Sequence, residues 1–312
     1  MIQIRTKYKG FWQLADPKIW VASTVPMLLG ASLAINRSPG RFNLAGFLAA
    51  LFAVYMIEIG KNAINEYVDF KSGVDSAVDA EHRTPFSGGK KTIVDGLLTP
   101  IETLMIAAAT FMIAAATGLA LVFFHDSRLL IFGLAGMGLA AAYSLPPLKL
   151  AYRGLGELTV GFVFGPLLLN GMYFLLTGAV ELLPVLLSLP IGFLIADVLV
   201  INQFPDYEAD KAGGKKNWVV RLGKKHAVKL YGVLYSMTAL SIVLAALVTR
   251  HYLFLIGLLP VPLMVKAVRN AAQHYHNIPK LTASNAAAVK IYLLTGMLLV
   301  IASIVYTVLS LL

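Results

Sequence analysis

The sequence predicts an all-α, polytopic membrane protein with about nine transmembrane helices, arranged as two pseudo-repeated halves around a central cavity. Three observations lead there. Of 312 residues, 58% are hydrophobic and only 13% charged, against roughly 25% charged in an ordinary soluble domain, and the mean hydropathy is +0.75. Nine stretches approach the roughly 20 apolar residues that cross a bilayer. A short Asn and Asp pattern recurs four spans apart. The composition excludes disorder, coiled coils and a compact cytosolic enzyme, and the absence of cysteine removes disulfide scaffolds, thiolate nucleophiles and zinc fingers.

Residues 1–17 carry Arg5, Lys7 and Lys9 beside Phe11 and Trp12, the pattern of a segment lying in the membrane interface, with no removable signal peptide. The spans follow at about 18–36, 42–66, 101–124, 129–145, 156–178, 181–204, 226–249, 251–268 and 288–311, all within a single membrane domain covering 1–312. Only Arg250, His251 and Tyr252 separate the seventh from the eighth, which predicts a tight hairpin. With this division, 21 of the 26 Lys and Arg residues fall on the side of the N-terminus and four on the other, with Lys61 inside a span. Basic loops stay cytoplasmic, so the N-terminus is expected inside. The net charge of +10 then reflects topology and not nucleic-acid binding.

Two long polar loops, 67–100 and 205–225, share that inner face and are expected to carry the site. Glu58, Asn62, Asn65 and Asp69 recur at helical spacing and form one polar stripe that continues to Asp75 and Asp79. The sixth span ends in Asp197, Asn202, Asp206 and Asp210, with the last three at i, i+4, i+8; Pro205 disfavours helix at Phe204 and re-aims Asp206. Asn65 with Asp69 and Asn202 with Asp206 are the repeated unit. Ionisable groups cost about 2.5–3.5 kcal/mol or more at a helix centre, and clustered carboxylates repel unless cations are bound. Oxygen donors without cysteine suit Mg²⁺, which is held by one or two carboxylates together with substrate phosphates. A third inward segment, Tyr143-Ser-Leu-Pro-Pro-Leu-Lys149 followed by Arg153, brings cations to the same face.

Together, Asn65-Glu-Tyr-Val-Asp69-Phe-Lys-Ser-Gly73-Val-Asp75, Asn202-Gln-Phe-Pro-Asp206-Tyr-Glu-Ala-Asp210-Lys-Ala-Gly213, Arg221-Leu-Gly223 and the Tyr143 to Lys149 turn resemble the UbiA superfamily of intramembrane prenyltransferases over nearly the whole chain. The Asp-x5-Asp form of the first motif, with Gly73, looks most like the 1,4-dihydroxy-2-naphthoate prenyltransferases of menaquinone synthesis. The resemblance implies that Asp69, Asp75, Asp206 and Asp210 bind Mg²⁺ bridging a polyprenyl diphosphate. It further implies that Asn65, Tyr143, Lys149, Arg153 and Asn202 contact the diphosphate, and that Asp69, Asp206 and Lys149 carry catalysis. The partners are the diphosphate, an aromatic small-molecule acceptor and membrane lipid, with no nucleic acid and no obligate protein partner; the location is a bacterial or archaeal cell membrane. Phe162, Phe164, Tyr173, Phe174 and Phe193 are candidates for lining a dry chamber.

Three other readings remain open at this stage. One is a prenyltransferase of the same family with another acceptor: 4-hydroxybenzoate, homogentisate or a lipid precursor. Paired polar stripes in two repeats also describe an ion-coupled transporter, but its site would need access from both faces. A phosphatidyl-alcohol transferase would carry an Asp-Gly-x2-Ala-Arg signature, which is missing.

Overall fold

The computed structural model describes residues 2–38, 40, 42–73 and 89–312. Asp75, Asp79 and Arg83 lie outside the described residues, as does most of the first long loop. Helix α1 (Ile2–Ala15) precedes a 3-10 turn, Pro17–Ile19, and α2 (Val21–Arg37), with a bend of 45° between the two. The Asn62 amide donates to the Leu14 carbonyl at 3.2 Å and fastens α1 to the next helix.

That helix, α3 (Leu44–Ser72), begins where the Asn43 side chain accepts from the Gly46 N–H at 2.9 Å, and ends at Gly73, whose φ of +78° is open to glycine and costly to other residues. Its 29 residues span about 44 Å at about 1.5 Å each, more than the hydrocarbon core, so its last turns reach the interface. α4 (Pro100–Phe124) packs back along it, opened by a reciprocal cap between Thr99 and Glu102 with Pro100 in the first turn.

α5 (Leu129–Ser144) leads into a turn with a cis Pro146–Pro147 bond and a 3-10 turn at Leu150–Tyr152. α6 (Gly156–Phe162), a π-helical turn at Val163–Leu167 containing Pro166, and α7 (Leu168–Thr177) make one apolar stretch. The turn presses on α8 (Leu182–Asn202): a Cβ on Gly165 would stand 2.6 Å from the Ser188 carbonyl oxygen. The short α9 (Tyr207–Ala212) and α10 (Trp218–Leu222) follow, then α11 (Lys224–Thr249), a 3-10 segment at Tyr252–Leu258, α12 (Val261–His274) and α13 (Ile278–Leu311). Arg250 takes a left-handed φ of 59° and ends α11, so the expected division between the seventh and eighth spans holds.

Every predicted stretch overlaps helix, but length and apolarity alone qualify seven described helices to cross a membrane, or eight if α1 and α2 form one bent span. α5, with 16 residues, reaches only about 24 Å. The apolar surface points outward: Met105, Met112, Phe123 and Leu240 are each at least 65% exposed, whereas Glu58, Glu66, Asp69, Glu157 and Asp197 are buried. Lipid is the solvent for such a surface. The main apolar core joins α2, α8, α11 and α13, and a smaller one ties α1 to α3 and α4.

Candidate active site

A cavity of about 660 Å³ opens between the halves, lined by α3, α5, α6, the π turn and α8 together with the loop after α8. Its mouth is polar. Asp69 is 2% exposed and sits on the last turns of α3. The Asn65 amide donates to Asp69 Oδ2 at 2.8 Å, and the Ser144 hydroxyl donates to Asn65 Oδ1 at 2.9 Å. The Tyr152 hydroxyl donates to Asp69 Oδ1 at 2.6 Å.

The second half answers from a broken helix. α8 stops at Asn202; Asp206 lies on the turn before α9, and Asp210 is in α9, its N–H donating to the Asp206 carbonyl at 2.8 Å. The even spacing of 202, 206 and 210 is therefore not one helical face, and Pro205 supplies the reason. Asn202 and Asp206 both line the cavity, and the Asn285 amide donates to Asn202 Oδ1 at 2.8 Å. Asp197 falls off the stripe, buried within α8, and neither carboxyl oxygen has a hydrogen-bond partner among the described residues.

Lys215 joins the halves. Its ammonium donates to Asp69 Oδ2 at 3.3 Å and lies 3.8 Å from Asp210 Oδ1. The Asn217 amide donates to Asp210 Oδ2 at 2.6 Å. Burial pushes the Asp210 carboxyl up to about 6, with Asp69 and Glu157 adding to the rise against Lys215 and Asn217. Burial works against the charge on Lys215, but Asp69 and Asp210 outweigh it and the ammonium is held well above its usual range. Tyr152 is raised by burial and by the Asp69 charge.

Asn65, Tyr143, Asn202, Asp206 and Asp210 thus border one chamber, with Asp69 at its rim through Asn65 and Lys215. Lys149 and Arg153 do not line it. The Lys149 ammonium lies 5.1 Å from the Tyr152 ring centroid, and Arg153 donates to the Pro147 carbonyl at 2.8 Å on the turn's outer side. Of the five aromatic candidates only Phe164 faces the cavity: Phe162 is 49% exposed on the outer surface, Tyr173 and Phe174 are buried elsewhere, and Phe193 packs against the main apolar core. Helical spacing alone does not tell a chamber wall from a packing face.

Sequence reading passed over Lys215, Tyr152, Asn217 and Glu157. Glu157, fully buried, accepts from the Trp218 N–H at 2.7 Å and from the Gln203 amide at 2.9 Å, pinning the loop after α8 onto α6. Glu66, also buried on α3, accepts from the N–H groups of Lys90, Lys91 and Ile93 and from the Thr92 hydroxyl, anchoring the return of the first long loop.

The donor set fits a hard divalent cation. Among the described residues no three Asp, Glu or His side chains form a group that could hold an ion; Mg²⁺ is usually held by one or two carboxylates together with substrate phosphates and waters. An ammonium already sits between carboxylates of the two halves, marking the place as one that favours positive charge.

The sequence profile of the UbiA prenyltransferase family matches residues 23–294. The 1,4-dihydroxy-2-naphthoate octaprenyltransferase of Bacillus subtilis is 31% identical over 279 residues, covering 89% of this chain and 86% of that protein. The 2-carboxy-1,4-naphthoquinone phytyltransferase of Synechocystis is 24% identical over 298 residues, covering 93% and 92%. Among solved structures, a UbiA homolog from Archaeoglobus fulgidus bound to GPP and Mg²⁺ superposes with a TM-score of 0.62 at 18% identity, over 93% of this chain and 99% of that one. With the profile match spanning most of its length, an all-helical membrane fold and polar motifs from both halves meeting at one cavity, the chain belongs to the UbiA prenyltransferase family and is a prenyltransferase.

Proposed function

We propose that the protein transfers the prenyl group of a polyprenyl diphosphate to 1,4-dihydroxy-2-naphthoate, with Mg²⁺, on the cytoplasmic side of the membrane. The observation that carries this reading is the pairing of Asp69 from one half with Asp210 from the other across Lys215, at the polar mouth of an otherwise apolar cavity. Asp69, Asp206 and Asp210 would hold the metal; Asp75, the fourth acid of the expected set, lies outside the described residues. Bound Mg²⁺ would supply positive charge against the departing diphosphate.

Lys215 adds a fixed cation there, and Asn65, Tyr143 and Asn202 offer hydrogen bonds to diphosphate oxygens. The allylic carbon then carries cationic character that water would quench. Leu139, Val160, Val163, Phe164 and Leu199 make walls that keep water out and accept the hydrocarbon tail. The skew of basic residues supports an inner-face site, and the B. subtilis relative supports the naphthoate acceptor.

Purified protein in detergent is given Mg²⁺, prenyl diphosphates of several lengths, and naphthoate, hydroxybenzoate and homogentisate acceptors. A prenylated 1,4-naphthalenediol, its carboxylate released as CO2, is expected from the naphthoate, and EDTA should abolish it. Preference for another acceptor would replace the naphthoate reading, and undiminished turnover in EDTA would remove the metal.

A further inference from the structure

Eight residues deeper along α3 than Asp69, about 12 Å at a rise of about 1.5 Å per residue, the cavity wall carries a second charged group. The Lys61 ammonium donates to Glu58 Oε2 at 2.9 Å. Glu58 also accepts from the Ser23 hydroxyl of α2 at 2.5 Å. The Glu58 side chain is 5% exposed, whereas that of Lys61 keeps 23%. Both residues line the cavity, and the ammonium stands 5.7 Å from the Phe164 ring centroid. Among the described residues Glu58 is the one hydrogen-bond acceptor Lys61 has, so two of the ammonium's three donors remain unspent beside the chamber.

Stability does not account for this pair. Taking two charges out of water is expensive, and replacing a buried pair with apolar residues is often neutral or stabilising. Charges kept at membrane depth mark substrate paths. A prenyl tail is hydrocarbon and gives an ammonium nothing to bind, and the diphosphate belongs with Asp69, Asp206, Asp210 and Lys215 at the mouth. The remaining reactant is the aromatic acceptor, whose naphthoate form carries a carboxylate.

We propose that Lys61, aimed by Glu58 and Ser23, docks the carboxylate of the aromatic acceptor and so selects carboxylated rings, with Phe164 offering a face for the ring. This rests on the acceptor class proposed above.

The test compares wild type, Lys61→Met, Lys61→Arg and the double variant Glu58→Gln with Lys61→Met, which leaves no unpaired buried carboxylate. KM is measured for two matched pairs: 1,4-dihydroxy-2-naphthoate against 1,4-naphthalenediol, and 4-hydroxybenzoate against phenol. Wild type should favour the carboxylated member. Lys61→Met and the double variant should raise its KM about tenfold or more, the size of a lost charge-assisted hydrogen bond, and leave the KM for prenyl diphosphate unchanged, while Lys61→Arg retains the preference. An unaltered carboxylate preference in the variants, or an equal loss on both members of a pair, overturns the proposal. A wild type that prenylates hydroxybenzoate and not naphthoate removes the naphthoate reading and leaves Lys61 to be judged on the benzoate pair. A wild type with no preference for carboxylated acceptors overturns the role of Lys61 outright.

Discussion

Lys215 and Lys149 are both lysines of polar loops, and both ammonium groups lie over the same Tyr152 ring, at 5.5 and 5.1 Å from its centroid. Only Lys215 reaches a carboxylate, bonding Asp69 and approaching Asp210. The two should therefore separate kinetically. Lys215→Ala is expected to raise the KM for prenyl diphosphate by about tenfold to a hundredfold, as for loss of a charge-assisted contact. Lys149→Ala should change it about threefold or less, as for a partly exposed charge. Initial rates against prenyl diphosphate concentration decide it; equal effects would show that the turn after α5 folds inward when substrate binds. Asp69, Asn65 and Asn202 were legible in the sequence because a polar residue inside an apolar helix stands out against its neighbours. Lys215 was not, because one cation among many in a basic loop looks like topology alone, and only the turn at Gly213 and Gly214, with φ +73° at Gly214, sends it back toward the carboxylates.

Elements were legible in proportion to their apolar length. The structure starts α3, α4 and α13 at Asn43, Thr99 and Asn277 caps and ends α3 at Gly73, whereas apolarity alone places the end of the second span at 66 and the start of the last at 288. What periodicity did not convey was the interruption of regular helix at the site. Asp206 and Asp210 keep helical spacing in sequence yet leave the α8 axis after Asn202, and the stretch at 156–177 contains a π turn. That turn depends on close backbone approach, which a side chain would prevent. In Gly165→Ala the new Cβ would lie 2.6 Å from the Ser188 carbonyl and 2.8 Å from Gly192 backbone atoms, so the π turn and α8 must part, at about 1–3 kcal/mol. The melting temperature in detergent should fall for Gly165→Ala and hold for Gly133→Ala, where nothing lies within 4 Å. An unchanged melting point for both would mean that the crossing is looser than these distances.

On the scale of the whole molecule, the fold keeps an outer surface of exposed Met, Leu and Phe facing lipid and places Glu58, Asp69, Asp206 and Asp210 at the cavity and its mouth. Polar residues of both halves border one chamber, and Lys215 balances the charge of Asp69 and Asp210. The most direct measurement is prenyl transfer by Asp69→Ala and, separately, Asp206→Ala, each purified folded from membranes and assayed with Mg²⁺. Each substitution, made in a different half, should lower turnover by on the order of a hundredfold or more with the melting profile kept. Turnover near that of wild type in either variant would mean that the two halves do not act on one diphosphate.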